Sequence, residues 1–202
     1  CFSDGTTIDL LDYTELTVLT MDSLYARNAR RAMTGGTVTP KTHTNTSANK
    51  GIVNYYLSHQ PYSQLANGVC TSLKLNNLTL YWTGVATKEG GGDITLDSQV
   101  ISRFISHGNN HNVINMNTRT SLTYYDQYHN RSIASPGNAI GTKFNGCANL
   151  TYLRFLYSNV TGNIGGLFSG LTNLTSLDIR LTNLSGSLID SSFSGTEKLQ
   201  SF

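Results

Sequence analysis

Phe144-Asn145-Gly146-Cys147-Ala148-Asn149-Leu150 is followed by Phe168-Ser169-Gly170-Leu171-Thr172-Asn173-Leu174 and then by Phe193-Ser194-Gly195-Thr196-Glu197-Lys198-Leu199. The first two heptapeptides share Phe, Gly, Asn and Leu at matching positions, and the third follows at nearly the same spacing. The stretches between them align as well. Leu150, Leu153, Phe155, Val160, Gly162 and Ile164 fall on Leu174, Leu177, Ile179, Leu184, Gly186 and Leu188. Such a period is the mark of stacked units, each unable to bury its apolar side alone. Leu153 and Phe155, like Leu177 and Ile179, alternate as in a short strand with one buried face. Gly162 and Gly186 are expected where the chain turns away from that strand. Phe168 and Phe193 are expected to fill the space beneath the returning segment. The units then predict a parallel sheet with the intervening side chains facing outward.

The pattern L-x-x-L-x-[FI]-x-x-x-N-[VL]-[TS]-G-x-[IL] at Leu150–Ile164 and Leu174–Leu188 resembles a leucine-rich repeat. The stretch at 144–150 is similar to the BspA-like subclass, and the [TS]-G-x-[IL] segment to the plant-type subclass. Ser158 and Thr182 stand where the family has its ladder Asn, with Asn159 and Asn183 one place later. Gly165 and Ile189 stand where plant repeats often have Pro. The resemblance covers roughly residues 140–202. It implies an α/β fold, a leucine-rich-repeat solenoid with parallel strands, incomplete at the C-terminus. It also implies recognition of a protein or glycan through a concave face carrying Tyr152, Arg154 and Leu156 in one repeat and Ser176, Asp178 and Arg180 in the next. Arg154 and Asp178 hold the same position in successive repeats and are expected to be lateral neighbours forming a cross-strand ion pair.

Residues 1–139 form a different region, read either as an irregular, loop-rich α/β cap or as degenerate repeats of the same solenoid. Asp22–Met33 reads as a helix, with Leu24, Tyr25, Ala29, Ala32 and Met33 on one side. Gly36–Asn49 reads as a loop. Ile52, Val53, Tyr56 and Leu57 suggest a short helix ending at Pro61. Leu73 and Leu75 alternate, as do Leu78, Leu80 and Trp82, so residues 70–83 read as a strand or hairpin. Asp97 is placed to cap a helix presenting Val100, Ile101, Phe104 and Ile105, ended by Gly108. Val113–Met116 reads as a buried strand. Residues 118–140, with Tyr124, Tyr125 and Tyr128, read as a long loop. Leu75, Ile114 and Leu153 are equally spaced along the chain, which suggests that the front continues the solenoid.

Composition narrows the function. Only 13% of the 202 residues are charged and the formal net charge is +2, so the chain carries no basic field for nucleic acid. Its polarity comes from Ser, Thr, Asn and Gly. There is no apolar run of membrane-spanning length. Cys1, Cys70 and Cys147 match no zinc or CxxC spacing. They fit one disulfide pair or three buried thiols, and Cys1 also fits a lipidated N-terminus.

Candidate chemistry is sparse. His107 and His111 have a metal-like spacing but are separated by Gly108, Asn109 and Asn110, so they read as solvent-facing loop residues. His43, His59 and His129 have no recognisable partners. Asp9, Asp12 and Glu15 read as solvated acids, and Arg27, Arg30 and Arg31 as a solvated helix face. No phosphate-binding or nucleophile motif is present, and neither a metal nor a cofactor is expected. Asn45, Asn77, Asn130, Asn149, Asn159, Asn173 and Asn183 head glycosylation sequons and would be acceptors in a secretory protein.

These readings converge on a non-enzymatic recognition or assembly protein, extracellular, at a cell surface or in a virion. It would be a phage fibre or receptor-binding protein or an adhesin. The alternative is a structural subunit assembling with copies of itself or its neighbours. An enzyme with its catalytic part in residues 1–139 is the remaining class.

Overall fold

The computed structural model describes residues 8–9, 18–22, 43–44, 53–58, 73–81, 96–109, 111–130, 139–187 and 190–201. Its largest feature is one sheet built from β2 (Val18–Asp22), β4 (Asn54–Ser58), β5 (Asn77–Tyr81), β6 (Arg103–His107), β7 (Tyr124–Tyr128), β8 (Tyr152–Leu156) and β10 (Ser176–Asp178). The strand order is β10-β8-β7-β6-β5-β4-β2. Every neighbouring pair is parallel. Two smaller parallel pairs lie outside this sheet: β1 (Ile8–Asp9) with β3 (His43–Thr44), and β9 (Thr161–Asn163) with β11 (Asn183–Ser185). Among the described residues the one helical element is a 3-10 turn, Asp190–Phe193. The architecture is a β-solenoid, one strand of the large sheet per turn. Residues on both sides of position 139 share that sheet, because β7 pairs with β8.

Alternation along each strand sets the two faces. Leu78, Phe104, Tyr125, Leu153 and Leu177 are in register and fully or nearly fully buried. They point into a single core that also takes Val113, Ile114, Met116, Ile140, Phe144, Leu150, Val160, Phe168 and Leu174. Phe144 packs against Tyr125 and Phe155, and Phe168 stacks on Phe193 at 5.6 Å between ring centres. The phenylalanines thus fill the space beneath the return, as the repeat implied.

Hydroxyls stitch the turns together at the entry to the strands. Thr123 Oγ1 donates to the Ser102 carbonyl at 3.0 Å, and Thr151 Oγ1 to Thr123 and Thr175 Oγ1 to Thr151 at 2.9 Å. Asn149 Nδ2 donates to the Thr120 carbonyl and Asn173 Nδ2 to Ala148. At the strand exits Asn109 Nδ2 reaches the Leu80 carbonyl and Ser158 Oγ the Gln127 carbonyl. Each bond ties a side chain to a backbone carbonyl of the preceding turn; the Ser102, Thr123 and Thr151 carbonyls also accept backbone N–H groups of the next turn, so there the hydroxyls add to bonds the backbone already makes.

Several expectations are corrected. The short helix expected through Tyr56 and Leu57 is strand β4. The helix expected behind Asp97 is irregular chain leading into strand β6. The loop expected over 118–140 contains strand β7. For the first two, apolar and aromatic residues in tandem satisfy a helical spacing and a strand equally, and pairing with the next turn decides; for the third, the inward Gln127 breaks the apolar alternation of the strand. Val113, Ile114 and Met116 are buried as expected, with Asn115 exposed between them, but they belong to a returning segment outside any strand. Leu73 is exposed and Leu75 buried ahead of β5, and among the described residues of the expected strand Asn77–Tyr81 pairs. The equal spacing of Leu75, Ile114 and Leu153 is not the period of the solenoid. The in-register core row is Leu78, Phe104, Tyr125, Leu153 and Leu177, and its members are unequally spaced along the chain. Gly162 lies inside β9 rather than at a turn, with φ 120° and a position for Cβ only 3.2 Å from Ile140 Cγ2. The loop expected at Gly36–Asn49 contains the two-residue strand β3. Asp22 belongs to β2, and the rest of the expected first helix lies outside the described residues. So do Cys1, Cys70, His59, Asn45, Asp12, Glu15, Arg27, Arg30 and Arg31.

Candidate recognition face

The outward side chains of β4 to β8 make a face dominated by rings and paired charges. At its entry edge Arg103, Tyr124 and Tyr152 are lateral neighbours. Tyr124 and Tyr152 stack in parallel, 4.4 Å between centres and 3° apart. The Arg103 guanidinium lies 4.0 Å from the Tyr124 ring centre, a cation–π contact. Burial first, and then the nearby Asp126 charge, push the Tyr124 hydroxyl up to about 12, so it stays a neutral donor.

The middle of the face holds Ile105, Asp126 and Arg154. Arg154 grips Asp126 with two bonds, Nε to Oδ1 at 2.7 Å and Nη2 to Oδ2 at 2.6 Å. His107 Nε2 reaches Asp126 Oδ2 at 3.1 Å. The Asp126 side chain is only 3% exposed. Burial alone would raise its carboxyl, but the bonds from His107 and Arg154 outweigh that and hold it below its usual value. At the exit edge Tyr81, His107 and Tyr128 stand side by side with Tyr157 just beyond.

The residues expected on the face divide as follows. Tyr152, Arg154 and Leu156 lie on β8 and are half-buried; Ser176 and Asp178 lie beside them on β10, and Arg180 follows, exposed. Arg154 and Asp178 are direct lateral neighbours, as expected. They are not an ion pair: Arg154 binds Asp126 on the other side, and Asp178 binds Arg180 at 2.8 Å on its own turn. Asp178 and Arg180 meet because the backbone curls at once after β10. Sequence reading misses Tyr56, Tyr81, Arg103, His107, Tyr124, Asp126 and Tyr128, because most of their strands also suit a helix or a loop. The alternation Tyr124, Asp126, Tyr128 about a buried Tyr125 and Gln127 is the signal that could have found them.

His107 and His111 are not solvated loop residues. His107 sits in the face, and His111 is fully buried against Phe104. His111 Nδ1 lies 2.6 Å from the Asn112 carbonyl and Nε2 2.6 Å from Ser106 Oγ. A carbonyl can only accept, so Nδ1 carries the proton and Nε2 accepts from Ser106. Burial lowers the ring's pKa to about 4. Among the described residues no three His, Cys, Asp or Glu side chains gather as a metal site. Cys147 is a free, buried thiol bonded to the Met116 carbonyl, pushed up to about 11 by burial. No described helix is long and apolar enough to cross a membrane.

The sequon asparagines differ in access. Asn130 is fully buried, which closes it to a glycan in the folded chain, and its side-chain amide has no partner among the described residues. Asn77 is half-buried and donates to Asn54 Oδ1. Asn149 and Asn173 serve the turn-to-turn ladder, while Asn159 and Asn183 are exposed. No family model, no curated protein and no solved structure matches this chain.

Proposed function

We propose that this chain is a non-enzymatic recognition or assembly protein that binds a protein or glycan through the outward face of its sheet. It works outside the cell, on a virion or on a cell surface, as a receptor-binding protein or adhesin. The observation that carries the reading is the concentration of partly exposed rings and internally paired charges on β4 to β8. Rigid aromatic side chains give large contact area at small entropic cost, and they head the residue types found in binding hot spots. The finer reading of residues 140–202 as leucine-rich repeats rests on the period that carries Phe144 onto Phe168 and on the stacking of Phe168 on Phe193.

Labelled protein is expected to bind some members of a panel of bacterial and eukaryotic cell surfaces. The double variant Tyr124→Ala with Tyr152→Ala is expected to lose that binding while keeping the circular dichroism spectrum of the parent. A wild-type chain that binds no surface in the panel would overturn the reading. Leu184, Phe193 and Leu199, packed against the core but only partly buried, favour a second reading, a structural subunit assembling with its own copies. A native mass many times that of the single chain would select it.

A further inference from the structure

Ring side chains recur once per turn along the exit edge of the face. Tyr81, His107 and Tyr128 hold the same exit position on three consecutive strands; Tyr56 lies two residues earlier on β4, diagonally beside Tyr81, and Tyr157 follows β8. Neighbouring ring centres are 5.7, 4.8, 5.4 and 6.1 Å apart, inclined by 61° to 78°. The strip therefore runs along the stack of turns, across the strands. A peptide adding as an extra strand would lie along the strands at a sheet edge, so this strip is not built for strand addition.

Tyr157 carries a second signal. The residue just after the strand is left-handed on three consecutive turns, Gly108 at φ 68°, His129 at 53° and Tyr157 at 51°, and Leu181, which holds the place of Tyr157 in the next repeat, is left-handed at 56°. Glycine takes this conformation freely, whereas a bulky residue costs about 1 kcal/mol or more. Tyr157 and Leu181 are nevertheless 51% and 61% exposed, so the core receives little from their size. A hollow of about 530 Å³ opens between Leu156, Tyr157, Arg180 and Leu181, within the range of ligand clefts. Large side chains held in strain, exposed, and bordering a hollow serve something outside the fold.

Charge narrows the occupant. Arg154 is neutralised by Asp126 and Arg180 by Asp178, so this edge offers rings and hydrogen-bonding groups without a strong net charge. A repeating strip suits a repeating ligand. We propose that this strip, ending on Tyr157, is a track for an extended neutral polysaccharide lying parallel to the solenoid axis. This rests on the recognition reading above and gives it a ligand class and a direction.

The test uses the whole chain with dextran, mannan, laminarin and galactan, and with oligosaccharides of graded length from whichever of them binds. Affinity is expected to rise with length up to the span of the five rings. Tyr157→Gly is expected to keep or raise the melting temperature, because it relieves strain, while weakening binding about tenfold or more. Tyr128→Ala is expected to weaken it as well. Length-independent binding, or a Tyr157→Gly chain that melts lower and binds as well as the parent, would overturn the track. Absence of all polysaccharide binding overturns it too, but leaves the recognition reading standing if cell binding is still lost in the Tyr124→Ala, Tyr152→Ala variant. A dimer in native mass spectrometry that Tyr157→Gly dissolves would assign the strip to a second copy and overturn the polysaccharide.

Discussion

The proton on His111 is fixed by its neighbours. Asn109 donates to Ser106, Ser106 to His111, and His111 to the Asn112 carbonyl, a one-way chain that leaves no acceptor for a second proton. The unfolded chain takes up that proton near the ordinary value of 6.5, the folded chain only near 4. Stability is therefore full above pH 6.5, falls as pH drops between these values, and loses about 3 kcal/mol by pH 4. Urea denaturation across this range should show the slope, and His111→Gln should flatten it. Asp126 is protected in the opposite chemical sense, since its ionised form is the favoured one. Its contribution is present above pH 3.8 and is lost below it, so the two residues occupy separate windows. Arg154→Ala removes both bonds to a nearly buried carboxylate and should cost about 2 kcal/mol at pH 7. An unchanged urea midpoint would mean that His107 alone satisfies Asp126.

At the level of the element, conformations repeat even where residue types do not. Gly186 has φ 97°, and a Cβ there would collide with the Asn163 amide on the neighbouring short strand. Gly170, at φ 85°, has open space around it. Both substitutions place Ala at positive φ, and Gly186→Ala should destabilise more than Gly170→Ala in parallel thermal melts, because the exposed Asn163 side chain must shift and give up its bond from the Gly165 N–H. The repeats around these glycines were legible because Phe144 and Leu153 recur as Phe168 and Leu177 at one constant shift. Strands β6 and β7 were not, because the turns around them differ in length and their inward positions include Ser106 and Gln127. Polar residues in the core row erase the apolar alternation on which strand recognition depends. The ring-bearing face went unseen for the same reason. Its members become neighbours only when β4 to β8 are placed side by side, at distances along the chain that no fixed period connects.

Across the whole molecule, each turn touches chiefly the turns before and after it, so stability should behave as a sum of units and nearest-neighbour contacts. Phe168 probes this well. It is fully buried, stacked on Phe193, and part of the same core that begins at Leu75. Phe168→Ala should cost about 3–5 kcal/mol through lost contact and the cavity left behind. In a nearest-neighbour array that loss stays local. Hydrogen exchange should quicken most at Leu153 to Phe155 and at Leu177, and least at Leu78 and Leu80, several turns away. A uniform rise over every strand would instead mean that the sheet opens as one unit. The distinction bears on function. A ring strip that spans five turns holds its spacing only while those turns stay docked. If the loss is local, Phe168→Ala should blunt binding at the Tyr157 end and leave the Tyr81–His107 end competent, so that long ligands lose affinity and short ones keep it.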